Sequence, residues 1–119
     1  MLTIYTLSNC DSCRAATKWL RARKISFEER AIRETPPTLA QLRTMLAAMD
    51  GDVRRLFNTS GRVYREKKLS ETLPAMAASD ALALLASEGN LVKRPFLIGD
   101  GVALVGFDEA CWAAEVSRT

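Results

Sequence analysis

The sequence NCDSCR at residues 9–14 holds two cysteines, Cys10 and Cys13, where an apolar segment gives way to a helical pattern. The segment Leu2–Thr6 is typical of a short strand, and the apolar spacing after residue 14 is typical of a helix. Cys10 is therefore predicted at a helix N-terminus, where free backbone N–H groups and the helix dipole favour the thiolate. We expect a reactive, partly exposed Cys10, with Cys13 able to resolve any bond that Cys10 makes.

Two charged residues beside the cysteines act in opposite directions. Arg14 lies one helical turn beyond Cys10 and favours the thiolate, whereas the Asp11 carboxylate opposes it. A structural zinc site would need more ligands, and the sequence offers only Cys111 besides the pair and no histidine. Two inert core cysteines fit poorly with the polar flanking residues. Reversible redox chemistry is therefore the favoured interpretation of the pair.

The complete absence of histidine narrows the chemistry further. It excludes Ser-His-Asp hydrolysis, Cys-His proteolysis and HExxH zinc sites, so any catalysis must use thiols, arginines and carboxylates. The net charge of +3 suits an anionic ligand or an acidic partner, but it is too small to indicate direct nucleic-acid binding. No apolar run reaches membrane-spanning length and no signal peptide is recognisable, so we expect a cytoplasmic protein without membrane contact.

The order of predicted elements defines an α/β chain whose 119 residues fit one domain, residues 1–119. A β-α-β unit opens the chain, and its connection implies parallel pairing of the two strands. A helical insertion follows, and a β-hairpin and a last helix end the chain, giving a mixed sheet of four strands. The predicted ranges are 1–6, 12–24 and 25–32 for the first unit, about 35–90 for the insertion, and 96–98 and 102–105 for the hairpin.

Local signals mark the starts of two helices. Thr38 and Gln41 form a plausible capping box at the beginning of the insertion. Asp108 can cap the last helix, on which Cys111 is predicted to be a buried core residue.

Arg94 and Pro95 precede the third strand and admit two interpretations. A cis bond between them would turn the backbone towards the start of the first helix and bring an arginine beside Cys10. A trans proline with a solvated arginine is the more common arrangement. A separate basic cluster could bind phosphate or an acidic protein, but a solvated face is the favoured interpretation. The cluster consists of Arg54, Arg55, Arg62, Arg65, Lys67 and Lys68.

Four motifs, in this order and spacing, resemble the ArsC/Spx family. They are CDSCR at residues 10–14, LFNTSG at residues 56–61, KRP at residues 93–95 and LVGF at residues 104–107. The family includes glutaredoxin-coupled arsenate reductases and the thiol-switch transcription regulator Spx. The resemblance implies a thioredoxin-like fold with a helical insertion. It also implies that Cys10 is the nucleophile, that Arg94 binds an anion, and that Arg14 occupies a position where reductases also carry arginine.

The chain departs from the reductases at three positions. Asn58 and Gly106 stand where arsenate reductases have further anion-binding arginines, and Thr6 replaces a histidine. Because an arsenate dianion needs several charge-assisted donors, the loss of the two arginines weakens the assignment of arsenate as the substrate and leaves thiol chemistry intact. The cysteine pair itself resembles Spx, in which a disulfide at this place controls binding to the RNA polymerase α subunit. Gly51 lies near an interface glycine of Spx, although its simpler role is to end a helix.

Taken with the residues, the resemblance implies a thiol oxidoreductase of the ArsC type. Cys10 would attack a small oxyanion or disulfide substrate, Arg14 and Arg94 would stabilise the anion, and Cys13 would form an internal disulfide. Glutathione with glutaredoxin, or thioredoxin, would reduce that disulfide, and no metal or organic cofactor is implied. The alternative is a redox-sensing regulator of the Spx type that binds the RNA polymerase α subunit.

Overall fold

A four-stranded mixed sheet, in the order β2-β1-β3-β4, lies at the centre of the computed structural model, which describes residues 1–116. β1 pairs in parallel with β2 and antiparallel with β3, and β3 and β4 form an antiparallel hairpin. The predicted α/β class, with a mixed sheet of four strands, is thus confirmed. The strands are β1 (Leu2–Thr6), β2 (Phe27–Ala31), β3 (Phe96–Gly99) and β4 (Val102–Val105).

Six α-helices lie within the described residues, and four of them belong to the predicted insertion. Short 3-10 segments at Val53–Leu56 and Leu73–Ala75 connect helices of the insertion, and a third at Gly89–Leu91 leads from the insertion to β3. None of the described helices combines the length and the apolar character that crossing a membrane requires. The helices are α1 (Asp11–Ala22), α2 (Leu39–Ala48), α3 (Arg62–Glu66), α4 (Leu69–Thr72), α5 (Ala78–Ser87) and α6 (Glu109–Val116).

Alternation along the strands divides the core into two layers. Successive strand residues point to opposite faces of the sheet, so Ile4 and Leu97 face one side while Tyr5 and Phe96 face the other. Helices α1 and α6 cover the Ile4 side, through Trp19, Leu20, Trp112 and other apolar residues. The helical insertion covers the Tyr5 side, with Leu42, Met45 and Leu85 fully buried.

The boundary between α1 and β2 differs from the prediction. Lys24 has a φ of +59° and therefore ends the helix in the left-handed conformation that is common after a helix C-terminus. The N–H of Ile25 then donates to the carbonyl of Leu20 at 3.0 Å, so Ile25 completes the helix end instead of pairing in the sheet. The strand consequently begins at Phe27, two residues later than predicted.

The capping box at the start of α2 is confirmed. Thr38 Oγ1 accepts from the N–H of Gln41 at 3.1 Å, and Gln41 Oε1 accepts from the N–H of Thr38 at 3.0 Å. The same Gln41 oxygen accepts from the buried hydroxyl of Tyr5 at 2.7 Å. One side chain therefore both caps α2 and joins the insertion to β1.

The prediction of a buried Cys111 is wrong, because this cysteine is exposed. Asp108 caps α6 as predicted, accepting from the N–H of Cys111 at 3.1 Å. From that start, Trp112 and Val116 lie four residues apart on one helical face and pack against the sheet, so Cys111 faces away from it. The indole N–H of Trp112 also donates to the carbonyl of Gly106 at 3.0 Å, which fixes this orientation.

Candidate active site

Cys10 is the N-cap residue of α1, as the sequence predicts. Its backbone is extended, with φ −124° and ψ 108°, and its Sγ accepts from the N–H of Cys13 at 3.2 Å. The Ser12 hydroxyl lies 3.3 Å from the same sulfur. The side chain of a helix N-cap meets backbone N–H groups that have no partner in the helix, so negative charge on this sulfur is stabilised locally.

The two cysteines of the motif form a disulfide and differ strongly in exposure. Their Cα atoms lie 5.2 Å apart across the first turn of α1. Cys13 is only 2% exposed, whereas Cys10 is partly open to solvent. After reduction, a molecule in solution would therefore meet the sulfur of Cys10 before that of Cys13.

Arg14 lies beside the cysteine pair, but its guanidinium group already has partners within the protein. Its guanidinium forms an ion pair with the Asp11 carboxylate and donates to the carbonyl of Ser8 at 3.1 Å. The Arg14 side chain is 62% exposed. Because its charge is matched by Asp11 and screened by solvent, its electrostatic effect on Cys10 is small.

The peptide bond between Arg94 and Pro95 is cis, which is the less common of the two arrangements that the sequence admits. Tyr5 of β1 lies opposite Phe96 of β3, so Pro95 lies at the end of the sheet where β1 finishes. The chain from Thr6 to Cys10 leaves the sheet at that same end. The topology therefore brings the Arg94 backbone and Cys10 to one end of the sheet, on two segments that are distant in sequence.

The Arg94 side chain is half-buried and points into a cleft of about 580 Å³. Its Nη1 donates to the carbonyls of Asn90 and Val92, both at 3.3 Å. Burial, and secondly the nearby charge of Arg33, lower the pKa of Arg94 from its ordinary value. Cys10 and Arg14 are not among the residues that line this cleft.

Arg33 and Asn90 are cleft residues that the sequence did not indicate. Arg33 Nε donates to Asn90 Oδ1 at 3.0 Å, across 57 residues of sequence. The position of Arg33 could have indicated its role, because Arg33 follows β2 by two residues and β2 runs parallel to β1. Residues after the carboxyl ends of parallel strands lie at one edge of the sheet, which is where ligands bind in many α/β proteins.

The three residues that depart from the reductase pattern have different surroundings in the structure. Asn58 lines the cleft that holds Arg94. Gly106 has a φ of +71°, and a Cβ atom there would lie 3.3 Å from Cε of Lys93, so the Lys93 side chain runs over this glycine. Thr6 is buried and its hydroxyl donates to Glu29 Oε2 at 2.7 Å. The Thr6 hydroxyl therefore links β1 to β2.

The basic cluster predicted as a solvated face is exposed at all six positions. Arg54 and Arg55, together with Lys93 and Asp52, line a shallow cleft of about 460 Å³. Arg65 donates to the carbonyl of Ser60 at 3.4 Å, and Arg62 lies 4.0 Å from Glu66. Exposed contacts of this kind contribute little to folding.

Known proteins resemble this chain over most of its length. The protein YusI of Bacillus subtilis strain 168 is 40% identical over 108 residues, which cover 91% of this chain and 92% of YusI. The global transcriptional regulator Spx of Enterococcus faecalis is 33% identical over 109 residues, which cover 92% of this chain and 81% of Spx.

Solved structures also resemble the fold of this chain over most of its length. An ArsC family related protein from Bacteroides fragilis superposes with a TM-score of 0.88 at 37% identity and covers 95% of each chain. A possible arsenate reductase from Streptococcus mutans UA159 superposes with a TM-score of 0.84 at 33% identity, covering 90% of this chain and 91% of that one. The model of the ArsC family matches residues 5–114, a range that includes the cysteine pair, the helical insertion and the Arg94-Pro95 bond. On this evidence the chain belongs to the ArsC family and has its thioredoxin-like fold.

Proposed function

We propose that this protein is a thiol oxidoreductase in which Cys10 is the nucleophile and Cys13 the resolving cysteine. The observation that carries the proposal is the difference between the two sulfurs. Cys10 caps α1 and is partly exposed, whereas Cys13 is buried one turn away and bonded to it. An exposed sulfur stabilised as a thiolate, next to a shielded one, is the arrangement that dithiol exchange requires.

The reaction has two exchange steps. The Cys10 thiolate attacks one sulfur of a substrate disulfide, forming a mixed disulfide and releasing the other half as a thiolate. Cys13 then loses its proton to solvent and attacks the Cys10 sulfur, which forms the internal disulfide and releases the second thiolate. Two electrons pass from the cysteine pair to the substrate. Two electrons from an external thiol reductant return the pair to its starting state.

The substrate class that we propose is argued from two arginines, Arg14 next to the cysteine pair and Arg94 at the same end of the sheet. Arg94 is the candidate for stabilising an anionic substrate or leaving group. Arg14 is a weaker candidate, because the Asp11 carboxylate neutralises its charge. With Asn58 and Gly106 in place of two arginines, an arsenate dianion would have fewer charge-assisted donors than in the reductases. We therefore favour a disulfide or another small anionic oxidant over arsenate itself.

The reductant we propose is glutathione with glutaredoxin, or thioredoxin, acting in the cytoplasm. The similarity to a possible arsenate reductase supports a thiol reductant. The internal disulfide supports it independently, because its bond to Cys10 can be opened by attack of an external thiolate on the partly exposed sulfur.

A second candidate function is a redox-dependent regulator that binds the RNA polymerase α subunit. Identities of 33% and 29% to Spx proteins from Enterococcus faecalis and Bacillus subtilis favour it. Gly51, which lies near the place where Spx carries an interface glycine, has a φ of +80° and borders an open cleft of about 490 Å³. Val53 and Met76, which are partly exposed, line the same cleft, so a partner could reach apolar surface there.

Steady-state consumption of NADPH separates the two functions. The assay couples the protein to glutathione, glutaredoxin and glutathione reductase, with arsenate or a low-molecular-weight mixed disulfide as substrate. The enzyme hypothesis expects turnover that Cys10→Ser abolishes and Cys111→Ser leaves unchanged, since Cys111 is exposed on α6 outside the pair. Lack of turnover with both substrates, combined with redox-dependent capture of the α subunit, would support the regulator instead.

A further inference from the structure

Two arginines from distant parts of the chain converge on Asn90. Arg33 Nε donates to the Asn90 side-chain oxygen at 3.0 Å, and Arg94 Nη1 donates to the Asn90 carbonyl at 3.3 Å. The Asn90 amide is held in turn by Glu88, whose Oε1 accepts from Nδ2 at 2.9 Å. Asn90 therefore fixes two like-charged guanidinium groups near each other.

Neither guanidinium is neutralised within residues 1–116. No carboxylate oxygen of the described chain lies within ion-pair distance of Arg33 or Arg94, and the partners of both are an amide oxygen and backbone carbonyls. Burial and Arg33 together lower the pKa of Arg94. A bound anion would relieve this disfavoured charge, because it supplies the opposite charge and replaces lost hydration.

The cleft in front of these two arginines has room for such an anion and is lined by suitable donors. It has a volume of about 580 Å³, and the residues that line it include a third arginine, Arg62, and the amide side chain of Asn58. No acidic residue lines it among the described residues. Arg62 approaches Glu66 only to 4.0 Å and is 82% exposed, so it can turn towards a ligand at little cost.

We propose that Arg33 is a further anion-binding residue of this cleft, where it acts together with Arg94, the residue to which the family resemblance assigns an anion, to hold a carboxylate or a tetrahedral oxyanion. Planar guanidinium groups bind such oxygens in pairs, and two of them fixed by one residue form a preorganised receptor. Arg33 thus supplies the second cation that Asn58 and Gly106 do not provide.

We assign the anion site to the substrate of the proposed oxidoreductase, and this assignment rests on the proposed function. Arg33 follows β2, and Arg94 precedes β3 beside the end of β1 that leads to Cys10. The anion would therefore belong to a substrate whose oxidised atom reaches the sulfur at this end of the sheet. Anion binding itself does not depend on thiol chemistry.

Binding is best measured in a Cys10→Ser background, where no exchange can occur. Inorganic phosphate and succinate are titrated separately while the backbone amide signals of residues 88–94 are followed by NMR. We expect saturable shifts that weaken with ionic strength, and an affinity about tenfold lower in Arg33→Ala and in Arg94→Ala. Arg43→Ala, which removes another exposed arginine from α2, is the matched control and should bind as the parent does.

The two probes also separate the two sources of the anion. Tighter binding of phosphate favours an inorganic oxyanion, and tighter binding of succinate favours an organic carboxylate; either result supports the site. Arg33→Lys, which keeps the charge but loses the planar fork, should recover part of the affinity. Equal affinities of Arg33→Ala and Arg43→Ala, or no saturable shift with either probe, would overturn the proposal. Turnover in the NADPH assay is a separate measurement, so failure of the enzyme function is distinguishable from failure of this site.

Discussion

The backbone N–H of Cys13 lies 3.2 Å from the Sγ of Cys10, so in the reduced protein the amide of the buried cysteine is placed to stabilise a thiolate at the exposed one. In the proposed function, Cys13 is thus both the resolving cysteine and the residue whose amide would support Cys10 as the nucleophile. This dual position follows from helix geometry, since a residue three places after the N-cap directs its N–H towards the cap side chain.

The first prediction concerns the reactivity of the reduced cysteines. With iodoacetamide at pH 7, Cys10 should be alkylated first, because the N-cap environment favours its thiolate. Cys13, which is 2% exposed, should react last in the folded protein. Mass spectrometry of peptides after timed quenching measures all three cysteines in one sample.

Cys111 serves as the internal reference for this experiment, because it is exposed but caps no helix. The rate at Cys10 should remain high below the pH of about 8.5 at which a free cysteine titrates. If Cys10 reacts no faster than Cys111 across pH 6–9, its sulfur is not activated and both functional hypotheses lose their basis.

The second prediction concerns the ion pair between Asp11 and Arg14. Asp11→Asn removes a carboxylate near Cys10 and releases the Arg14 guanidinium from its partner, so alkylation of Cys10 at pH 7 should accelerate by about two- to fivefold. Arg14→Ala leaves Asp11 unpaired and should slow alkylation by a similar factor. Stopped-flow alkylation of the Cys111→Ser background measures these rates without interference.

Arg23→Ala is the matched control for this pair, because Arg23 is an exposed arginine at the far end of α1. Its rate should equal that of the parent. Changes of the same sign in Asp11→Asn and Arg14→Ala would contradict the electrostatic explanation, since the two substitutions remove opposite charges.

Much of the fold could be predicted because its signals are local. The capping box at Thr38 and Gln41, the helix start at Cys10 and the hairpin before α6 each depend on a few adjacent residues. The burial of Cys111 was mispredicted because small apolar residues occupy two faces of α6, and only packing of Trp112 against the sheet selects one of them.

The candidate site was predicted only in part, for a related reason. Cys10 and Cys13 form a sequence motif, whereas Arg33 and Asn90 lie 57 residues apart and meet only through tertiary structure. The ion pair of Arg14 with Asp11 is local, yet its geometry depends on which rotamers the first turn of α1 allows. Charge near a thiol can be proposed from sequence, but its neutralisation is visible only in the structure.

The third prediction concerns Gly89, which directly precedes Asn90 and packs against the backbone of Ile32. Gly89 is buried, and a Cβ atom there would overlap the carbonyl group of Ile32, just before Arg33. Gly89→Ala must therefore push apart the two segments that carry Arg33 and Asn90. We expect a loss of about 1–3 kcal/mol in the free energy of unfolding, measured by urea denaturation, together with weaker phosphate binding.

Gly51→Ala provides the comparison, because nothing lies within 4 Å of a Cβ atom at Gly51 and only its φ of +80° is unfavourable. The loss should be about 1 kcal/mol, and phosphate binding should be unchanged. If Gly89→Ala lowers the free energy of unfolding no more than Gly51→Ala does, the close contact between Gly89 and Ile32 is not maintained in solution.

The fourth prediction uses Arg94→Lys to make the charge in the cleft titratable. An ordinary lysine has a pKa of about 10.4. Burial and the charge of Arg33, which lower the pKa of Arg94, should lower that of the substituted lysine in the same way. The folded protein then releases a proton at a pH where the unfolded chain still holds it, so the stability of the variant should rise with pH through that interval.

The measurement is the difference in unfolding free energy between Arg94→Lys and the parent, from urea denaturation between pH 7 and pH 10.5. The parent arginine stays charged throughout this range, so it provides a constant reference. Arg43→Lys, at an exposed position, should show a constant difference. Added phosphate favours the protonated lysine, so it should move the rise in stability to higher pH. A flat difference for Arg94→Lys, with or without phosphate, would mean that this position is neither desolvated nor coupled to Arg33.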